Sequence, residues 1–567
     1  MEIGTIRHSA SHVLAQAVKV LFPKAQLGIG PSIEDGFYYD FGNVEFKEED
    51  LEKIEKKMLE LLKKDEKFTQ IKRTRKEAEK LLKNEPFKLD LLKDLKDDEI
   101  SFYKHGDFTD LCKGPHVNST KDIKAVKLLK LAGAYWRGDS SKPMLQRIYG
   151  VAFSSEKELK NYLKQKEEAE KRNHMKIGKE MELFSIHQEA PGMPFFHDKG
   201  TFIFNTLVDF MTSEMRKLNY EVNKTPIILN KTLWLQSGHW DHYKENMYFT
   251  KIDKKDFAVK PMNCPGNLLI FSSRLHSYKE LPIKAGEFGL VHRHELSGVL
   301  NGLLRVRSFT QDDAHVFCTK EQLKEQIIEL IDLVDRIYST FGFKYEVELS
   351  TMPKKAMGDP KVWKIAEDAL EDALNTKKMK FKLNPGDGAF YGPKIDYHIK
   401  DAIGRKWQCG TIQLDFSMPE KFNLTYEGQD GTKHKPVMLH RAIYGSLERF
   451  IGILIEHFAG KFPLWLSPNQ VKIITVTDRN NKFAEEVAEK LKEKGIRAEI
   501  DIKSETLNRK VREAQLQKFN YIITIGDKEV EKKTLAVRTR EGKVQFGVKI
   551  NDFIKDLLDE IDKKEIK

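Results

Sequence analysis

His8 and His12, in the stretch RHSASHVLA, are four residues apart. On a helix that spacing puts both imidazoles on one face, about 6 Å apart at Cβ. Further along, DLCKGPH brings Cys112 and His116. These four side chains are the donor set of a zinc tetrad, of a hydrolytic centre in which imidazole activates water, or of polar groups satisfied in a core. Their spacing alone leaves all three readings open.

A second group of residues is more specific. In LVHRHELSGVLNGLLRVRSFTQDDAHVF, Arg293 and Glu295 are two apart, so on a strand they face the same side. A glycine-containing loop follows, and then Arg305, Arg307, Phe309, Gln311, Asp313 and His315. The last four alternate along one face of a second strand. A face of aromatic, amide, carboxylate and imidazole groups costs several kcal/mol if buried empty, so it reads as a ligand surface. Near residue 440, MLHRAIYGSLERFIGILIEHF places Arg449 at the start of an apolar helix, where it can reach an anionic or aromatic ligand.

The elements that must position these residues follow from composition and pattern. A chain of 567 residues corresponds to three or four domains at roughly 150 residues each. The 97 basic against 86 acidic side chains leave a net charge of +11, compatible with a polyanionic partner such as RNA. Cys112, Cys264, Cys318 and Cys409 are far apart and too few to staple a secreted domain. The N-terminal residues lack a signal-peptide pattern, and FIGILIEHF, the longest apolar stretch, is too short to span a bilayer. The expectation is a cytoplasmic protein with no membrane partner.

Residues 1–155 mix helical periods with glycine-rich turns, and 156–172 is charged on nearly all faces, as suits an interdomain helix. The block 173–463 opens on APGMPFFHDKG and alternates long helices with strand-like runs (EVNKTPIILN, RKWQCGTIQLDF, KFNLTYEG), which reads as an antiparallel sheet with flanking helices. Residues 464–567 repeat strand–helix–strand and predict a small α/β domain with a mostly parallel sheet.

With these residues in place, the chain resembles the class II aminoacyl-tRNA synthetases, and in detail the threonyl-tRNA synthetases. Pro226 in EVNKTPIIL is similar to the first class II motif, a dimer-interface helix and a strand ending in proline. HRHEL…RVRSFTQDDAH is similar to the second, and GSLERF to the third. EAPGMPFFH, KPMNCPGN, FYGPKID and WQCGTIQLDF extend the match over essentially the whole chain. The implied fold is a multidomain α+β chain: a class II antiparallel sheet with flanking helices, an N-terminal α+β editing domain and a C-terminal α/β anticodon-binding domain.

The resemblance implies roles residue by residue. Arg293 and Arg305 neutralise the ATP phosphates, Glu295 recognises the adenine amino group, and Phe309 and Arg449 sandwich the base, with Mg²⁺ on the triphosphate. Cys264, His315 and His440 are the implied ligands of one catalytic Zn²⁺, although they are dispersed over more than a hundred residues and their spacing reveals no metal site. One thiolate and two imidazoles leave coordination positions open, as a catalytic zinc requires. Gln311, Asp313, Tyr391 and Gln413 hold the rest of L-threonine, which reacts with ATP to give threonyl-adenylate and is then transferred to tRNA(Thr). A pocket that excludes valine by its missing hydroxyl rejects serine, one methyl smaller, by only about 1–3 kcal/mol, so a second site must hydrolyse seryl-tRNA(Thr).

That site is implied in residues 1–155, where RHSASHVLAQAVKVLFP, DLCKGPH and GAYWRGDSSKPMLQRIYG resemble the family's editing domain. His8, His12, Cys112 and His116 converge there in the family, near Asp110, Tyr39 and Lys88. The site is expected to run without metal, with histidine activating water and Cys112 a positioning group. The family's small ubiquitin-like domain, which comes before the editing domain, has no counterpart ahead of His8. In the C-terminal block Glu529 and Arg538 match positions that read anticodon bases, and Ser504 stands where the family has Asn. The implied protein is a homodimeric threonine–tRNA ligase. Prolyl or histidyl synthetases lack the Cys264/His315/His440 set, and Arg293, Arg305 and Arg449 weigh against a non-catalytic RNA-binding regulatory paralogue.

Overall fold

The computed structural model describes residues 2–566, the side chain of His242 excepted. The chain divides into two compact units, one up to Glu168 and one from Ala169 onward. No helix among the described residues is long and apolar enough to cross a membrane.

In the first unit, helix α1 (Ile3–Leu21) carries Ile6, Ala10, Val13, Leu14, Ala17 and Val18 on its buried side, and Pro23 prevents its continuation. These residues share one core with Phe37, Tyr39 and Phe41, which alternate along strand β1 (Gly36–Gly42). Each such buried aliphatic side chain contributes about 1.5–3 kcal/mol, so α1 is fixed against the sheet and its histidines with it. Strand β2 (Thr69–Thr74), helix α2 (Pro86–Asp94), strand β3 (Glu99–His105) and strand β4 (Phe108–Leu111) follow, the strands forming a separate antiparallel sheet in the order β2–β3–β4. Strands β5 (Ala125–Tyr135) and β6 (Met144–Phe153) complete the sheet of β1, and helix α3 (Glu156–Lys171) leads out of the unit.

In the second unit a short helix, His174–Glu180, precedes helix α4 (Asp198–Lys217), the two-residue strand β7 (Glu221–Val222) and helix α5 (Cys264–Ser272). Strands β8 (Ile283–His292) and β9 (Ser308–Cys318) form a long antiparallel pair, followed by helix α6 (Leu323–Thr340), strand β10 (Lys344–Ser350) and helix α7 (Pro360–Thr376). Strands β11 (Phe381–Asn384), β12 (Lys394–Lys400), β13 (Lys406–Asp415) and β14 (Val437–Ala442) and helix α8 (Leu447–Phe458) complete this part. The eight strands run in the order β7–β8–β9–β14–β13–β12–β10–β11, antiparallel throughout except for the two edge pairs. Along β9 the even positions Ala314, Val316 and Cys318 join the core under α4, α6, α7 and α8. The odd positions Phe309, Gln311, Asp313 and His315 therefore face the other way, onto an open cavity.

Three local expectations are corrected. Arg293 and Glu295 do not share a strand, because β8 ends at His292 and the chain turns into the SGVLNG loop. EVNKTPIILN is not one strand: Glu221–Val222 pairs with β8, whereas Ile228–Asn230 joins another sheet beyond Pro226. KFNLTYEG contributes only the strand Tyr426–Glu427.

After strand β15 (Val471–Thr475), helix α9 (Asn481–Glu493), strand β16 (Ala498–Asp501), helix α10 (Leu507–Leu516) and strand β17 (Tyr521–Ile525) complete two parallel crossovers. Strands β18 (Thr534–Thr539) and β19 (Val544–Lys549) then pair antiparallel before helix α11 (Ile550–Asp562). This sheet, β16–β15–β17–β18–β19, is mixed rather than mostly parallel. The connection between β18 and β19 is a tight turn at Gly542, far too short for the crossover that a parallel neighbour needs.

Candidate active site

A cavity of about 820 Å³ opens on the odd-numbered face of β9. Its wall contains Arg293, Glu295, Arg305, Phe309, Gln311, Asp313, Tyr391, Gln413 and Arg449, together with Cys264, His315 and His440; Arg307 is not part of it and donates through Nε to the Glu295 carbonyl at 2.8 Å. Arg293 lies 5.0 Å over the Phe309 ring and 5.6 Å over Tyr243, and its Nε donates to the Pro261 carbonyl at 3.1 Å. Arg305 is 55% exposed and pairs with Glu295 at 2.9 Å. An exposed ion pair is worth about 0–1 kcal/mol, so an entering polyanion can open it at little cost. Arg449 sits in the first turn of α8, where Ser446 Oγ accepts its backbone N–H at 3.2 Å. The preceding Glu448 is buried, and its carboxylate accepts the Thr310 N–H at 2.8 and 3.0 Å. Burial raises its pKa to about 7. This residue clamps α8 to β9 beside Phe309, a role that the dipeptide Glu-Arg did not reveal.

The three dispersed metal-ligand candidates meet because of strand register. His315 of β9 stands directly opposite His440 of β14, which in turn faces Gln413 of β13. Cys264 opens α5 and is buried. One donor atom from each lies within 4.8 Å of the others. His440 Nε2 donates to Asp415 Oδ2 at 3.0 Å, which leaves Nδ1 as the lone pair. The other Asp415 oxygen accepts the N–H groups of Ser417 and Met418 at 2.7 and 2.9 Å, so this carboxylate is itself fixed. His315 is fully buried with no hydrogen-bond partner at either ring nitrogen, and burial holds it well below the usual imidazole pKa. Burial, reinforced by Asp313 and Asp415, pushes the Cys264 thiol well above its ordinary pKa, so a thiolate there needs a cation. Two imidazoles, a thiol and an oriented carboxylate fit a zinc ion with open coordination.

Asp415→Asn is expected to keep the fold but weaken zinc binding about 10–100-fold, as loss of an orienting partner does. Competition with a chromophoric chelator measures this, and equal affinity in the variant would contradict it. Around the triad, Asn263 Nδ2 donates to Asp313 Oδ2 at 3.0 Å, and Tyr391 donates to Gln413 Oε1. Asn263 and Asp415 lie within KPMNCPGN and WQCGTIQLDF, but nothing in those segments singles them out, because their roles come from partners elsewhere in the fold.

The first unit brings its seven candidates together. His8 Nδ1 donates to the Pro115 carbonyl at 3.2 Å, so Nε2, 3.4 Å from Cys112 Sγ, is an acceptor. Ser9 gives its hydroxyl hydrogen to the Thr5 carbonyl at 2.8 Å and must accept from His116 Nδ1 at 3.0 Å. His116 Nε2 is then also an acceptor, 3.2 Å from Cys112 Sγ. Burial pushes Cys112 up to about 11, so the sulfur is a thiol and a poor nucleophile at neutral pH. Burial also keeps His12 neutral, well below its ordinary pKa. His12 Nδ1 lies 3.5 Å from Asp110, whose carboxylate is held by Lys88 at 2.6 Å and by the Tyr39 hydroxyl at 2.6 Å. His8, His12, Cys112 and His116 offer donor atoms within 4.8 Å of one another, so the tetrad geometry is present as well.

His105, behind this cluster, is fully buried, and burial lowers its pKa from 6.5 to about 4. Its folded form is neutral, whereas the unfolded chain takes up a proton below pH 6.5. The stabilisation is therefore whole above pH 6.5 and is lost as pH falls toward 4, by up to about 3 kcal/mol. His105→Phe is expected to flatten the acid branch of the first unit's stability, measured by denaturant titration between pH 7 and pH 4.5. An unchanged acid branch would contradict this assignment.

In the C-terminal block a cavity of about 340 Å³ lies at the carboxyl ends of β15 and β16, where ligands of parallel sheets commonly bind. Ser504 lines it, as does the buried Lys510, whose ammonium donates to the Thr475 and Asp501 carbonyls at 3.1 and 3.3 Å. Glu529 and Arg538 are not in its lining: Glu529 accepts the Gly526 N–H at 3.0 Å, and Arg538 donates to the Gly542 carbonyl.

Residues 248–458 match the tRNA synthetase class II core domain (G, H, P, S and T), and residues 470–560 match the anticodon binding domain. The eight-stranded sheet and its cavity are thus the catalytic core of a class II aminoacyl-tRNA synthetase. Residues 100–149 match the threonyl and alanyl tRNA synthetase second additional domain. Threonine–tRNA ligases of Clostridium tetani and Acetivibrio thermocellus are 57% and 55% identical over 99% of this chain, covering 88% and 89% of their own lengths. The chain belongs to the threonine–tRNA ligase family. Among solved structures, the RNA binding domain of threonyl-tRNA synthetase from Cryptosporidium parvum is 41% identical with TM-score 0.67, over 68% of this chain and 98% of that one. A putative threonyl-tRNA synthetase from Aeropyrum pernix is 30% identical with TM-score 0.61, over 69% and 97%. The chain is accordingly an ATP-dependent enzyme that charges tRNA with threonine and carries an editing domain.

Proposed function

We propose that the 820 Å³ cavity performs both steps of threonylation and that the cluster around His12 removes serine charged in error. ATP enters with Mg²⁺, as class II synthetases require. Arg293 and Arg305 take its phosphates, Arg305 leaving Glu295, whose freed carboxylate then accepts the adenine amino group. Phe309 and Arg449 hold the base from its two faces. The threonine carboxylate attacks the α-phosphorus, pyrophosphate leaves, and charge developing on the phosphoryl oxygens meets the guanidiniums. A terminal ribose hydroxyl of tRNA(Thr) then attacks the activated carbonyl, and AMP leaves.

Cys264, His315 and His440 would hold one zinc ion, which supplies Lewis-acid recognition of the threonine amino and hydroxyl groups. Asp415 orients His440, while Gln311, Asp313, Tyr391 and Gln413 hold the remaining polar atoms of the amino acid. In the first unit, neutral His12, set beside Asp110, accepts a proton from the water that attacks the seryl ester. His8, Cys112 and His116 position the terminal adenosine, without metal. Lys88 and Tyr39 keep Asp110 in place.

The unit limits of this reading are 1–155 for editing, 156–172 for the linker helix, 173–463 for catalysis and 464–567 for anticodon binding by Ser504, Glu529 and Arg538. The exposed apolar side chains Val222, Ile227 and Ile228 beside Pro226 support a homodimer through this edge, in a cytoplasmic enzyme. One observation carries the proposal: two unpartnered nitrogens on a fully buried His315, facing Cys264 and His440 in the same cavity as the arginines. Metal analysis of the purified protein tests it, with one zinc per chain expected, retained in His8→Ala and lost in His440→Ala. Two zinc ions per chain, or none, would contradict it.

A further inference from the structure

The turn Asn301–Arg305 carries Arg305 to the cavity and closes on itself, Leu304 N–H donating to the Asn301 carbonyl at 2.8 Å and Asn301 N–H to the Arg305 carbonyl at 3.1 Å. Leu303 at its base is fully buried, against Gly452 of α8. Its backbone N–H is therefore out of water and requires an acceptor. That acceptor is His174 Nε2, at 3.1 Å. The opposite ring nitrogen of His174 donates to Glu456 Oε1 at 2.7 Å, and the His174 backbone N–H reaches the same oxygen at 3.1 Å. One nitrogen donating and the other accepting selects a single neutral tautomer.

Two further contacts hold the end of α8 that carries Glu456. Arg172, just beyond α3, donates to the His457 carbonyl at 2.9 Å, at the end of α8. The second oxygen of Glu456 pairs with Arg405, which lies over Trp407 in the cavity wall. Gly302 completes the fit: its φ is +49°, and a Cβ there would stand 2.2 Å from His174 Nε2. The imidazole and the glycine are thus matched surfaces, and the turn has one seat.

We propose that His174 is a positioning residue for ATP: through Leu303 it fixes the turn that aims Arg305. This rests on the reading that Arg305 meets the ATP phosphates. The two nitrogens can be separated by substitution, since Asn places an amide where the ring has Nδ1 and Gln reaches to the position of Nε2. Threonine-dependent pyrophosphate exchange is measured for His174→Asn, His174→Gln, Gly302→Ala and Arg305→Ala, alongside deacylation of seryl-tRNA.

His174→Asn strands the Leu303 N–H and is expected to raise the KM for ATP about 10-fold, with the KM for threonine and the deacylation rate unchanged. His174→Gln recovers most of that loss, and Gly302→Ala, which pushes the ring away, reproduces it even if His174→Asn folds poorly. A merely structural role lowers the active fraction and kcat while leaving the KM for ATP alone, and that result would overturn the proposal. So would a Gln variant no better than Asn. If Arg305→Ala itself leaves the KM for ATP unchanged, the underlying role of Arg305 fails and the inference with it; a raised KM there, with none in His174→Asn, overturns the inference alone.

Discussion

His315→Ala is expected to lose its zinc and to lower threonine-dependent pyrophosphate exchange by about 10³-fold, the scale of removing a preorganised electrophilic contact. His315 is fully buried and directly opposite His440, so alanine leaves a void and removes one of three donors that no other side chain replaces. The remaining thiol, already pushed far up by burial, then stays protonated. Deacylation of seryl-tRNA should be untouched, because its residues lie in the other compact unit. The check is metal content and exchange rate measured on the same preparation. A zinc-free variant with near-normal exchange would remove the metal from the account.

His12→Ala should have the complementary effect, with seryl-tRNA deacylation falling about 10²–10⁴-fold while threonylation stays near normal. His12 is 3% exposed, neutral, and set against an Asp110 carboxylate that Lys88 and Tyr39 already hold. Its loss removes the base and leaves the carboxylate anchored, so the unit should remain folded. Cys112→Ala should cost less, since a thiol with a pKa near 11 is not the nucleophile. Accumulation of seryl-tRNA in a charging assay with serine reads this directly. Undiminished deacylation in His12→Ala would remove the editing role of this cluster.

Much of the active site was legible because period-two spacing survives any tertiary context: Phe309, Gln311, Asp313 and His315 had to share a face if they lay on a strand. The end of β8 was not legible. Nothing in VHRHEL marks His292 as the last paired residue, and the two residues beyond it reach the cavity from a loop. The metal triad was recognisable only through family resemblance. Its members meet by strand register and by the placement of α5, neither of which leaves a local trace. Asn263, Asp415, Glu448 and His174 were invisible for the same reason: a buried polar residue acquires its meaning from the partner across the fold. In the C-terminal block the turn at Gly542 did carry a signal, and reading it as a hairpin would have predicted the mixed sheet.

In the proposed mechanism one cavity selects threonine through a metal held by Cys264, His315 and His440, and this selection leaves serine to a second site. Amino-acid-dependent pyrophosphate exchange with threonine, serine and valine, before and after chelation, distinguishes this mechanism from its alternatives. Expected are strong exchange with threonine, exchange with serine weaker by roughly 10–200-fold, almost none with valine, and loss of all activity on chelation with recovery on adding zinc. Valine activated about as well as serine, or threonine exchange indifferent to chelation, would contradict it.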